Sequence, residues 1–137
     1  MYQQLTIVGN LGRDPEMRYL PNGTAVTNFP VATTRKWTDS SGAAKEQTTW
    51  FRVAVFGRSA EACNSYLKKG SRILVVGELQ ADENTGGPRV YTRKDGESGS
   101  TFEVRAISVK FLSAKNGEDA AGEHAAVDAE DSGELDF

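Results

Sequence analysis

Apolar and polar residues alternate along LTIVGNL, Leu5–Leu11, and the run closes on Asn10-Leu11-Gly12, which predicts a first strand. The next run, MRYLPNGTAVTNFPVATTRKW, carries Pro21-Asn22-Gly23 between two strand-like halves. Asn-Gly tolerates positive φ at both positions, so this segment predicts a hairpin. DSSGAAKEQ, residues 39–47, is polar, contains a glycine and predicts a loop. TTWFRVAVF, Thr48–Phe56, alternates again. Successive side chains of a strand point to opposite faces. Trp50, Arg52, Ala54 and Phe56 therefore share one face, and Phe51, Val53 and Val55 the other.

A helical pattern follows in SAEACNSYLKKG. Ser59 is placed as N-cap, Ala60, Ala62 and Cys63 are small, and Tyr66 and Leu67 complete an apolar stripe. Lys68 and Lys69 are expected in the last turn and Gly70 as its left-handed stop. RILVVGEL reads as a nearly continuous apolar strand, QADENTGGP as a loop, RVYTRK as a short strand and DGESGS as a turn. TFEVRAISVKFL closes the body as an alternating strand, and Phe29, Phe102 and Phe111 are expected in the core. Short strands with glycine-rich turns predict a barrel or a sandwich. About five strands with one helix inserted between the third and fourth segments is the arrangement of an OB-fold.

Composition adds a division. With 137 residues, 38% hydrophobic and 26% charged, the chain fits one domain with a real core and some extra polar material. The formal charge of -3 conceals an asymmetry: all sixteen Lys and Arg lie at or before Lys115, against eleven acids, and eight further acids follow it. A body of charge +5, residues 1–115, thus precedes a tail of charge -8, residues 116–137. The tail has few apolar residues and no sustained period, so disorder is expected over it. Its last residues, DSGELDF, carry Leu135 and Phe137. These read either as chance apolar residues at a frayed terminus or as a short motif with a ring for a partner's pocket and acids for its basic rim. Neither a charged leader with an apolar run nor 18 consecutive apolar residues occurs, so no secretory signal or membrane span is expected. Cys63 is the sole cysteine, which excludes an internal disulfide, favours a reducing compartment and reads as a packing residue.

Catalytic chemistry finds little footing. His124 is the only histidine and falls in the acidic tail, so no Ser/His/Asp triad or Cys/His pair assembles in the body. Glu46, Glu61, Glu78 and Asp82 are scattered, and GNLG lacks the Lys and helix of a phosphate-binding loop. No enzyme activity, metal or cofactor is expected. Aromatic and basic residues interleave instead. Trp37 follows Arg35 and Lys36, Trp50 and Phe56 flank Arg52 and precede Arg58, and Tyr91 lies among Arg89, Arg93 and Lys94. Single-stranded nucleic acid is held by rings that stack on bases and cations that follow phosphates. An unpaired guanidinium is costly to bury, so Arg52 argues for a surface position of Trp50 and Phe56. Pattern alone leaves Trp37 open between core and surface.

These residues carry a resemblance. LTIVGNLGRDPEMRYLPNGTAVTNFPVAT resembles the N-terminal strand, glycine turn and hairpin of the bacterial-type single-stranded-DNA-binding proteins. WFRVAVFGRSAEACNSYLKKGSRILVVGEL resembles their central strand, helix and following strand, so that together the two cover most of Leu5–Leu79. The tail resembles the family's acidic tip ending in Phe. The resemblance implies an all-β OB-fold with one helix, a five-stranded Greek-key barrel assembling as a homotetramer. It implies sequence-independent binding of single-stranded DNA in replication, recombination and repair, in the cytoplasm on the nucleoid. The tip residues Asp131, Glu134, Leu135, Asp136 and Phe137 would then recruit partner enzymes. By position, Trp37, Trp50 and Phe56 fall at base-stacking rings, and Arg52, Arg58 and Lys69 at phosphate-contacting cations. Arg35 joins them through its place beside Trp37, and Phe51 falls at a contact between subunits. The segment from Gln80 to Thr101 is lengthened and lacks the family's further tryptophan, for which Tyr91 stands in. Asp136 replaces the usual Pro before the final Phe. Two other readings share the fold: an adaptor working mainly through protein contacts, and an RNA-binding cold-shock-like barrel.

Overall fold

The computed structural model describes residues 1–112. It contains β1 (Leu5–Leu11), β2 (Glu16–Tyr19), β3 (Ala25–Thr38), β4 (Ala44–Phe56), α1 (Arg58–Tyr66), β5 (Arg72–Gln80), β6 (Arg89–Thr92) and β7 (Ser98–Phe111). The acidic tail and its tip residues lie outside the described residues.

Local chemistry sets the turns. Between β2 and β3, the Asn22 side-chain oxygen accepts the Thr24 N–H at 2.9 Å, and Leu20 N–H donates to the Thr24 carbonyl at 2.8 Å. The turn between β3 and β4 is tighter than its polar sequence suggests. The Asp39 carboxylate accepts from the Ser41 hydroxyl at 2.7 Å and from the Ser41 and Ala43 N–H groups at 2.9 Å each. Those bonds, led by the Ser41 hydroxyl, hold the Asp39 carboxyl below its ordinary pKa. With the turn closed over residues 39–43, Ala44–Gln47 pair with Thr38–Arg35 as strand rather than extending the loop.

The helix also departs from its expected ends. Gly57, with φ 78°, occupies the N-cap position without a side-chain bond, and Ser59 is buried inside the first turn. The chain needs a sharp exit from β4 here, and glycine supplies the positive φ. Leu67 is already extended, so Lys68 and Lys69 follow the helix instead of lying in its last turn. Gly70 serves a connection, not a helix stop: its N–H donates to the Leu11 carbonyl at 2.9 Å.

Five strands close a ring. β1 runs antiparallel to β5 (Leu5↔Gly77 through Asn10↔Arg72) and, at its end, to β3 (Asn10↔Ala32, Leu11↔Val31). β5 pairs antiparallel with β7, β7 parallel with β4, and β4 antiparallel with β3. β2 extends the ring beside β3 and β6 beside β7. A five-stranded ring closed by a parallel pair, with α1 between β4 and β5, is an OB-fold. Its interior is filled by Phe29, Val31, Val53, Val55, Ile73, Val75, Val104 and Val109, and α1 lends Ala60 and Cys63. The buried Thr27 hydroxyl donates to the Ala60 carbonyl at 2.7 Å, which ties the helix to the barrel without an orphaned polar group. Burial pushes the Cys63 thiol well above its ordinary pKa, so it stays protonated and inert.

β7 does not alternate throughout. Val76 pairs with Ser108 and Gly77 with Ala106, so Ile107 is an extra residue opposite β5. This bulge shifts the inward set from Val104 and Ala106 to Val109 and Phe111. Phe29 and Phe111 are core residues, but Phe102 is not: it is 52% exposed. It shares the inward parity of Val104, yet it sits beyond the end of the barrel, where no opposing strand covers it.

Candidate nucleic-acid interface

The two faces of β4 differ as their side chains require. Val53 and Val55 are fully enclosed, whereas Trp50 is 52% exposed and Arg52 is exposed between it and the half-buried Phe56. At about 3.3–3.4 Å per residue, Trp50 and Phe56 stand about 20 Å apart along the strand. Trp50 lies over Gly12, where an added Cβ would come 2.5 Å from the ring atom Cζ3. The glycine is what lets the edge of the indole's six-membered ring, at Cζ3 and Cη2, approach β1's end so closely. GNLG therefore has a role here other than phosphate binding: it seats a ring.

Neighbouring strands complete the face. In register, Trp50 lies opposite Ala32, Arg52 opposite Pro30 and Phe56 opposite Val26 on β3. On the other side, β7 sets Glu103 beside Arg52 and Arg105 beside Ala54. Glu103 is occupied: Arg89 Nη1 is 3.6 Å from its carboxylate, and the Thr101 hydroxyl donates to it at 3.1 Å. Arg52 itself makes no ion pair among the described residues. The guanidinium of Arg105 lies over the Phe56 ring, 4.8 Å from its centroid. Around these groups runs a groove of about 480 Å³, lined among others by Arg18, Arg52, Phe56, Arg89, Glu103 and Arg105.

Tyr91 belongs to the same side. It pairs with Gly99 on β7, whose missing side chain leaves room for the phenol; a Cβ there would meet Tyr91 Cζ at 2.9 Å. Gly99, Thr101, Glu103 and Arg105 alternate on one face of β7, and that face continues the outward face of β4. Tyr91 is 42% exposed. Arg58 opens α1 immediately after Phe56-Gly57 and is exposed, as is Lys69, whose backbone N–H donates to the Asp14 carboxylate at 2.8 Å.

Trp37 is separate. It is 38% exposed, so it is a surface residue, but its register opposite Lys45 gives it the parity of Val31 and Phe51 rather than that of Trp50. Beyond Thr33 the β3–β4 ribbon leaves the barrel and both its sides are open to solvent. Arg35 shares the side of Trp37, with its guanidinium 4.5 Å from the ring centroid. Phe51 is half-buried at the end of the barrel, 5.9 Å from Phe102 between ring centroids and tilted by 41° to it.

The sheet thus gathers Trp50, Arg52, Phe56 and Tyr91 on one face, places Arg58 and Lys69 at exposed positions around α1, and sets Trp37 and Arg35 on an arm. Reading the sequence missed Arg18 and Arg105. Arg105 did carry a signal, a cation between Val104 and Ala106 on an alternating strand, but its ring partner is visible only once β7 is paired with β4. Among the described residues no cluster of His, Cys, Asp or Glu converges as a metal site, and no helix is long and apolar enough to cross a membrane.

Comparison with known proteins gives this geometry a lineage. Two single-stranded DNA-binding proteins of Neisseria meningitidis, from serogroups A and B, are each 38% identical to the chain over 113 residues. The match takes in 82% of this chain but 61% of each relative, so the chain aligns with less than two thirds of their length. Among solved structures, a Plasmodium falciparum SSB complex with ssDNA superposes with a TM-score of 0.68 at 24% identity, covering 82% of this chain and 97% of that one. At that identity the likeness speaks for the fold. A deletion mutant of the Thermus aquaticus single-stranded DNA binding protein superposes with a TM-score of 0.64 at 35% identity, covering 82% of this chain and 51% of that one. The single-strand binding protein family model matches residues 2–112, and the chain belongs to that family.

Proposed function

We propose that the chain binds single-stranded DNA without reading its sequence, and that it does so as a binding protein and not as an enzyme. The observation that carries this is the outward face of β4, with two solvent-reaching rings and an unpaired guanidinium between them on a rigid strand. Every base has a π-face, so stacking on Trp50, Phe56 and Tyr91 holds a strand whatever its sequence, at about 1–3 kcal/mol per base. Arg52, Arg58 and Lys69 supply charge for the phosphates, and Trp37 with Arg35 offers a further platform on the arm. Residues 1–115 form the binding body. The acidic tail 116–137 recruits replication, recombination and repair proteins through Asp131, Glu134, Leu135, Asp136 and Phe137, and the protein works in the cytoplasm on the nucleoid. Phe51 and Phe102 form part of a contact between copies in a homotetramer, since a pair of rings at a barrel end gains by being covered.

Trp37 and Trp50 are the chain's two tryptophans, so their fluorescence reports directly on the site. Titration with oligothymidylate should quench it, with affinity falling as salt rises. Unchanged fluorescence at saturating oligonucleotide would refute the reading.

A further inference from the structure

Arg105 has no partner that accounts for its position. It is exposed on β7, beside the small Ala54 in register, and makes no ion pair among the described residues. Glu78 is its cross-strand neighbour on β5, and Asp82 and Glu83 stand on the rim of the same groove, yet none of them reaches it. Arg89, a second guanidinium on this side of β7, is engaged by Glu103, and Arg93 lies further along the same face, over Gly99. What Arg105 does touch is the face of Phe56, at 4.8 Å. That contact is attractive but weak where water competes. It also covers the surface a base would need.

Resting on the single-strand reading above, we infer that Arg105 is a phosphate-binding residue held over Phe56 until DNA arrives. A base that stacks on Phe56 displaces the guanidinium, which turns to the phosphate of that same nucleotide. Guanidinium geometry suits this exchange: its planar fork lies flat on a ring and also donates two parallel bonds to a phosphate. The covered ring is kept from other apolar contacts in the free protein, and the strand gains one ionic contact for each Phe56 it occupies.

The salt dependence of binding separates this from a merely structural role. For single strands each neutralised phosphate adds about 0.7 to the slope of log K against log salt. The full chain is titrated with oligothymidylate of about eight nucleotides, within the site size of one OB-fold, over a range of salt. Arg105→Ala and Arg105→Gln should each lower the slope by about 0.7, so that binding weakens about fivefold at 0.1 M salt and about 25-fold at 0.01 M. Arg105→Lys should keep the wild-type slope. Because the side chain is exposed, melting temperatures should stay near that of the wild type, and Arg105→Gln serves if the alanine variant fails to fold. A wild-type slope in the Ala or Gln variants would overturn the inference, as would a slope lost in Arg105→Lys. If the unaltered chain does not bind oligothymidylate at all, the single-strand reading itself falls, a result that cannot be confused with an unchanged slope in a binding protein.

Discussion

Trp50→Ala and Val53→Ala, three positions apart on β4, should cost similar stability, but only the first should weaken binding. A wholly buried Trp truncated to Ala costs about 3–5 kcal/mol. Trp50 is 52% exposed, with its other side against Gly12, so its truncation should cost about half of that, about 2 kcal/mol. Val53 is fully enclosed. Losing two carbons at about 0.8 kcal/mol each, plus a small cavity, also comes to about 2 kcal/mol. Domains of this size hold about 5–15 kcal/mol, so both variants stay folded. Trp50→Ala should then weaken binding of labelled oligothymidylate by 1–3 kcal/mol, about 5- to 150-fold, through the lost stack. Its salt slope should not move, because a ring releases no phosphate counterions. Val53→Ala should bind as the wild type does. Fluorescence anisotropy of the labelled strand measures the binding, and urea unfolding the stability. Equal loss of affinity in the two variants would refute the argument, since destabilisation and not a missing platform would then explain it. Unaltered affinity in Trp50→Ala would show that the ring is not part of the site.

The same geometry gives three further expectations. Gly12→Ala places a Cβ 2.5 Å from Trp50 Cζ3, so the ring must swing away and affinity should fall severalfold with the barrel still cooperative in a thermal melt; full affinity would mean that the seat of the indole does not matter. Asp39 has a lowered pKa in the folded state, so its contribution to the β3–β4 turn is complete above its unfolded pKa of about 4 and is lost as pH falls through the lower folded value. Protection of the Ser41 and Ala43 amides, taken relative to their intrinsic exchange at each pH, should fall in that acid range in the wild type, whereas Asp39→Asn, which keeps an acceptor oxygen but not the charge, should lack this step. Phe51→Arg, which puts a charge against Phe102 at the barrel end, should lower the mass in solution while leaving the monomer's circular dichroism intact; an unchanged assembly would remove Phe51 from the subunit contact.

How much of this was legible in the sequence follows from how far apart the interacting residues lie. The alternation of β4 is local, and it was enough to separate Val53 and Val55 from Trp50, Arg52 and Phe56 because an arginine between two rings has few cheap places to go. Turn lengths were less legible: DSSGAAKEQ is polar throughout, and only the Asp39 side chain, by capping three donors, decides that strand resumes at Ala44. Phe102 misled because it has the parity of Val104, and parity says which way a side chain points but not whether anything lies there to cover it. Trp37 shows the converse, since its exposure agrees with a binding role while its register puts it across the ribbon from Trp50. A strand that engaged both would therefore follow the twist of the arm around its edge and meet the two rings as separate platforms. The parallel pairing of β4 with β7 was the least legible feature of all. It brings Glu103 to Arg52 and Arg105 to Phe56 from far along the chain, across a helix and two strands. That pairing also closes the barrel, so the groove that surrounds Phe56 exists only in the folded ring. Half of the site is thus written along one strand, and the other half depends on closure of the fold.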